Sequence, residues 1–281
     1  MSDSQAPTVR RRRLAAELRR LRDATGLTRE EVATRLEWSP AKVFRVETGR
    51  TRAHTNDIRL LLDMYGAGDD AREVLIQLAR ESRKRDWWHQ YNDLLTGPFV
   101  GFEAEAKSLS SYHNEVVHGL LQTENYARAL MDAAPGVRPE EVERRLQVRM
   151  SRQQLLTREQ PPRLWCVMNE SVLRRLVGGA EVMREQLDHL VRMSELPSVT
   201  VQVLPFSVGA HPAVSGAFTL LGFPEPTDLD LVYIEGSTST LFLEQSDDVK
   251  RHTLIFHHLQ AQGLSPEKSV ALIRQVREEL T

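Results

Sequence analysis

The 281-residue chain is short of several things that would each have pointed to a function class. It has one cysteine, Cys166, which excludes an internal disulfide and suits a reducing interior. No apolar run approaches the roughly 18 residues that span a bilayer. The opening MSDSQAPTVRRRR lacks the apolar core of a secretory signal, so a cytoplasmic protein without a membrane partner is expected. There is no glycine-rich phosphate loop of either common type. Nine scattered histidines and a single cysteine offer no metal-ligand spacing. His257 and His258 are adjacent and diverge on a helix, with His252 one and a half turns away. Glu170, Cys166 and His211 are the one set in which a nucleophile is imaginable. Cys166 falls in an apolar strand pattern, where cysteine is more often an inert core residue. No enzyme, no cofactor and no metal is the expectation. Internal repeats and low-complexity tracts are also missing.

What is present is an ordinary globular composition, 41% hydrophobic, with a net charge of -2 that hides an asymmetry. Residues 1–60 hold 14 Lys/Arg against 8 Asp/Glu, or +6; the remaining 23 Lys/Arg and 31 Asp/Glu give residues 61–281 a charge of -8. One end suits a polyanion and the rest would be repelled by it.

The basic end contains LTREEVATRLEWSPAKVFRVETG, residues 27–49. Thr28 and Glu31 have the spacing of a capping box, and Val32, Ala33 and Leu36 give the helix one apolar face. That helix stops at Glu37-Trp38. Ser39 followed by Pro40 starts another, with a hydroxyl cap and proline at the first helical position. Val43 and Val46 point inward, leaving Ala41, Lys42, Phe44 and Arg45 on other faces, and Thr48-Gly49 ends the helix. Two short helices joined by a tight turn read as a helix-turn-helix whose second helix can enter the major groove of double-stranded DNA.

From about Leu14 to Tyr65 the pattern resembles the Xre/Cro-type helix-turn-helix, with Glu47-Thr48-Gly49 in place of that family's E-x-G-like ending. The resemblance implies a lambda-repressor-like, all-α head. It puts Pro40, Ala41 and Arg45 at base-facing positions with Lys42 and Phe44 beside them, Arg29 and Thr48 at phosphate-contact positions, and Arg22 and Glu47 in an ion pair joining the first helix to the recognition helix; the cap Ser39 is counted among the DNA-binding candidates. Pro40 and Ala41 depart from the glutamine-rich pattern of phage repressors, so readout there is expected to be weak or apolar. Arg45 is the candidate for a bidentate guanine contact, worth about 1–3 kcal/mol. Arg50 and Arg52 follow in the loop that runs along the backbone and are candidates for phosphate contact. Arg10 to Arg13, just before the leucines at 14, 18 and 21, read either as an arm tracking phosphates or as a solvated terminus.

A closing helix is expected over Asn56 to Tyr65 and another from Asp69, with a boundary near Arg80–Asp86. The head is thus assigned to residues 10–80 and a second domain to 81–281, with a linker helix over 81–95 in which Trp87, Trp88 and Tyr91 anchor the chain or form a ligand cage. Helical patterns in the second domain run from Thr123 to Asp132, Pro139 to Arg158, Ala180 to Ser194, Ser246 to Gln262 and Pro266 to Leu280. Strand-like runs are Arg163 to Met168, Val199 to Leu204, Ala217 to Phe223, Leu229 to Ile234 and Thr240 to Leu243, the last three reading as an antiparallel meander. Helices and strands do not alternate regularly, which predicts an α+β domain with a mainly antiparallel sheet. Arg149, Arg152 and Gln153 share a helix face, with Gln154 next to them. They either bind an acidic partner or small anion, or pin their own helix. His211, in the long loop Pro205 to Ser215, is a further candidate for a ligand or partner contact.

Phe102 to Met131, Val148 to Glu159 and Val199 to Leu221 resemble a domain fused to Xre-type heads in actinobacteria, and the whole is similar to the WhiJ-type, antitoxin-like regulators. His118 stands where that family usually has proline before Gly-Leu-Leu-Gln-Thr. The resemblance implies a transcriptional regulator whose second domain is expected to dimerise, to bind a small protein encoded by a neighbouring gene, or both. A single head meets few bases, so a homodimer on a palindromic operator is expected. The competing expectation is a one-component regulator whose second domain binds a small-molecule effector.

Overall fold

The computed structural model describes residues 9–51, 53–82, 91, 94, 98–224, 230–236 and 238–280. The chain forms two compact units, Met1–Phe102 and Glu103–Thr281. The predicted linker helix, with Trp87 and Trp88, and most of the predicted boundary fall outside the described residues.

The first unit is helical: α1 (Val9–Thr25), α2 (Arg29–Arg35), α3 (Pro40–Glu47), α4 (Thr55–Met64) and α5 (Asp69–Glu81). α1 begins at Val9, so Arg10 to Arg13 are its first turn and not an extended arm. α2 starts on the expected capping box, in which Thr28 accepts from the Glu31 amide and Glu31 accepts from Thr28. Ser39 caps α3 by accepting from the Lys42 amide, with Pro40 behind it. Between these helices Glu37 takes a positive φ of 55°, and Gly49 ends α3 at φ 67°. Leu18, Val32, Val43, Val46, Ile58, Leu61 and Leu62 close one core across the helices.

The second unit begins within α6 (Phe99–Glu105) and is built on β1 (Ser108–His113), β2 (Arg163–Asn169), β3 (Val199–Leu204), β4 (Phe218–Gly222), β5 (Leu231–Glu235) and β6 (Thr240–Leu243). These form a mixed sheet in the order β3-β2-β1-β4-β5-β6. β1, β2 and β3 are parallel, and β4, β5 and β6 continue from β1 as the expected antiparallel meander. Parallel neighbours need long crossovers. α7 (Glu124–Asp132) and α8 (Pro139–Gln153) lie between β1 and β2, and α9 (Glu170–Arg174) and α10 (Ala180–Met193) between β2 and β3.

α11 (Ser246–Gln262) and α12 (Pro266–Glu279) close the chain. Tyr112, Val167, Leu204, Phe218 and Val232 on one sheet face pack with Phe256 and Leu259 of α11. Ser111 and His113 alternate to the other face. The outer edge of β3 is covered: its Val203 amide donates to Ser269 Oγ (2.9 Å) and its Val203 carbonyl accepts from the Leu264 amide (2.9 Å). Among the described residues no helix is long and apolar enough to cross a membrane.

Candidate nucleic-acid interface

On α3 the positions 40, 41, 44, 45 and 48 follow one another around a single side of the helix. Pro40, Ala41, Phe44 and Arg45 are exposed there, and Thr48 is half-buried with its hydroxyl donating back to the Phe44 carbonyl (2.7 Å). The opposite side, Val43, Val46 and Glu47, is buried. Ser39, at the exposed start of the helix, is engaged as its cap.

What holds this helix in place is a carboxylate. Glu47 is completely buried and accepts from Arg22 Nε (2.7 Å), from Arg29 Nε (2.8 Å) and from the Tyr65 hydroxyl (3.3 Å). Its backbone carbonyl accepts from Arg19 Nη2 (2.9 Å). The Arg22/Glu47 pair that the family resemblance implied is therefore present, tying α1 to α3, and Arg29 makes it a triad that brings in α2. Burial works against the charge on Arg22, but the hydrogen bond and charge of Glu47 outweigh it and leave the guanidinium held above its ordinary value. Burial, reinforced by Glu47, keeps the Tyr65 hydroxyl protonated well above the usual phenol range.

The basic side chains around the exposed face differ in how free they are. The Arg45 guanidinium makes no hydrogen bond or ion pair among the described residues, although its carbonyl accepts from the Thr48 hydroxyl (3.4 Å). Arg50 is exposed, with its guanidinium 5.4 Å from the Phe44 ring centre, and Arg29 lies 5.3 Å from the same ring. Phe44 thus carries two stacked guanidiniums. Lys42 is turned inward: its ammonium pairs with Asp57 (2.9 Å) and sits 3.6 Å from the Trp38 ring centre. Arg52 lies outside the described residues. Sequence reasoning missed Arg19, Tyr65, Trp38 and Asp57 as supports of this surface. Arg19, Tyr65 and Asp57 lie 28, 18 and 15 residues from their partners, beyond any local spacing; Trp38, four residues before Lys42, was the one within local reach.

The candidates in the second unit are largely occupied by their own fold. Arg152 forms a bidentate pair with the fully buried Glu103 (2.7 and 2.8 Å). Gln153 donates to the Gln122 carbonyl (2.5 Å), and Arg149 donates to Gln122 Oε1 (2.7 Å). With Gln186 of α10, which bonds both the Thr123 amide and the Leu121 carbonyl (2.7 Å each), they stitch down the segment 117–123. His118 takes φ −52° and ψ 136°, a conformation proline also adopts, and its Nδ1 accepts from the Leu120 amide. Arg152 and Gln153 are therefore internal braces, not surface offered to a partner.

His211 Nδ1 accepts from the Ala213 amide (3.3 Å), and its Nε2 lies 3.3 Å from the Tyr112 hydroxyl. Glu170 holds the Phe206 amide (3.0 Å) and Arg174 (2.7 Å). Cys166 is buried and its thiol is pushed up to about 12 by that burial. Glu170 and His211 have different partners, and Cys166 meets Ser111 of the neighbouring strand.

Residues 13–75 match the family described as a helix-turn-helix domain. Residues 96–275 match the family described as a domain of unknown function, DUF5753. No curated protein and no solved structure matches the chain.

Proposed function

Since the chain belongs to the DUF5753 family and carries a helix-turn-helix domain in front of that region, we propose that it is a sequence-specific DNA-binding transcriptional regulator. The observation that carries this reading is the exposed face of α3, with Arg45 free at its centre and Arg50 at its end. Beneath it, the Glu47 ion triad fixes the helix to α1 and α2. A rigid helix with one unpaired guanidinium is what bidentate reading of guanine in the major groove requires.

The finer reading places it among WhiJ-type regulators: a cytoplasmic homodimer on a palindromic operator, with half-sites about 34–36 Å apart. The second unit binds a small partner protein that favours one of the dimer's two geometries, which demands unequal affinity for them. No catalytic step belongs to this reading. A small-molecule effector in place of the partner is the second reading, favoured by Arg149, which has no ion pair among the described residues.

A genome-wide binding map of the full-length protein tests the proposal, with and without the neighbouring small gene. Operators found there are then titrated with Arg45→Ala and Arg50→Ala. Arg45→Ala relaxes specificity at one base position and costs about 1–3 kcal/mol; Arg50→Ala weakens all sequences alike and flattens the salt slope by about one unit. Wild-type affinity and salt dependence in both variants would remove α3 from the interface, and an absence of discrete sites would end the regulator reading.

A further inference from the structure

The exposed side of α3 offers a base edge one guanidinium and otherwise mostly apolar groups. Lys42 is drawn away by Asp57 and Trp38. Thr48 donates its hydroxyl to the Phe44 carbonyl, and the Ser39 hydroxyl accepts from the Lys42 amide. A hydroxyl can donate or accept, so it selects little between bases. α3 has no Asn or Gln to pair with adenine, and its one carboxylate, Glu47, is buried and cannot accept from cytosine. Apart from Arg45, what remains is Pro40, Ala41 and Phe44, the last 38% exposed.

These apolar residues lie together. Ala41 precedes Phe44 by three positions and Arg45 by four, and Pro40 precedes Phe44 by four, so all share one side of the helix. The Phe44 ring is also held in place. The guanidiniums of Arg29 and Arg50 lie 5.3 and 5.4 Å from its centre, and Arg29 is itself anchored on the buried Glu47 at 2.8 Å. Where those cations meet phosphates, the ring beside them lies at the wall of the groove. In the major groove the feature an apolar surface can select is the C5-methyl of thymine; the other features are hydrogen-bond donors and acceptors.

Resting on the DNA-binding reading, we infer that Phe44, with Ala41 and Pro40, reads the methyl group of a thymine next to the guanine taken by Arg45. Phe44 is then a specificity residue. Burying one methyl-sized group is worth about fourfold in affinity, and that preference is absent where the base carries no methyl.

The test is a selection of tight sites from random duplexes by the full-length protein. The best site is then titrated with each thymine in turn replaced by uracil, which pairs identically and lacks only the methyl. Beside the base pair that Arg45→Ala relaxes, uracil is expected to weaken wild-type binding about fourfold. Phe44→Ala is expected to bind the thymine and uracil duplexes alike. The uracil series uses the native chain, so it decides even where Phe44→Ala fails to fold. Discrete sites with no uracil-sensitive position would overturn the inference and leave the DNA-binding reading standing, as would a thymine preference that Phe44→Ala keeps in full. Selection of no site at all would overturn both.

Discussion

Glu47→Gln tests whether the recognition helix is held by one buried charge. The substitution preserves shape but replaces the anion that accepts from Arg22 at 2.7 Å and Arg29 at 2.8 Å. Removing one partner of a buried pair costs about 3–5 kcal/mol, because the other charge is left uncompensated. Two features bring the value to the lower end. Arg22 keeps the Leu27 carbonyl (2.8 Å) and the surface carboxylate of Asp23 (2.8 Å). Arg29, 32% exposed, can turn to water and so contributes little. A loss of about 3 kcal/mol remains, a large part of the 5–15 kcal/mol that stabilises a typical domain.

Amide hydrogen exchange of the full-length protein reads this directly. A 3 kcal/mol loss lowers protection in the core peptides of α1 and α3 by roughly a hundredfold, since about 1.4 kcal/mol is tenfold. Arg29→Ala is the internal comparison and should cost under about 1 kcal/mol. If Glu47→Gln changed protection less than about fivefold, or Arg29→Ala matched it, the helix would be held by its apolar contacts and the charge argument would be wrong.

Further outcomes follow from the same geometry. Glu103→Gln and Arg152→Met should each destabilise the second unit by about 3 kcal/mol, while the double replacement Glu103→Leu with Arg152→Met recovers part of the loss, as urea titration would show. His113, brought down to about 4 from its ordinary 6.5, and His118, also held well below that ordinary value by burial, are neutral in the fold. The stability they confer is complete above pH 6.5 and is lost as pH falls toward 4, by up to about 1.4 kcal/mol per pH unit for each histidine. His113→Asn should flatten that slope in urea midpoints taken at pH 7, 6, 5 and 4, and an unchanged slope would assign it to carboxylates. Lys42→Met, which breaks the Asp57 pair and the Trp38 contact, should cost about 1 kcal/mol of stability and leave the salt dependence of DNA binding unchanged; a shallower slope would put Lys42 on the phosphates. Cys166, buried with its thiol pushed up to about 12, should resist iodoacetamide at pH 8 in the native protein and react at once in urea.

Legibility followed the range of the interactions. The head was readable because its signals are local: Thr28 with Glu31, Ser39 with Pro40 and Lys42, and valines three apart on α3. In the second unit the run Val199 to Leu204 became β3, and Thr240 to Leu243 became β6, with the same limits. β1 was not readable. Ser108-Leu-Ser-Ser-Tyr-His has three serines in six residues and little apolar periodicity, yet it lies inside the sheet, paired with β2 on one side and β4 on the other. Its extended form comes from those neighbours and not from its own preference. With β1 unseen, the parallel pairing of β1, β2 and β3 was also hidden, since pairing direction depends on crossovers rather than on strand composition.

The charged candidates show the same division more sharply. Periodicity on α3 turns both Lys42 and Arg45 away from the apolar core, and nothing within the helix separates them. Asp57, fifteen residues away, and Trp38 take Lys42, while Arg45 keeps its guanidinium. Helical spacing likewise put Arg149 and Arg152 on one face of α8, but Glu103, forty-nine residues earlier, takes only Arg152. A motif therefore bounds the set of side chains able to meet a ligand, and the fold then removes members from it by internal pairing. What is left over in the first unit, Arg45, is where an external acceptor has most to gain. By the proposed reading, Arg45 is left for a phosphate or for the neutral acceptor atoms of a guanine edge.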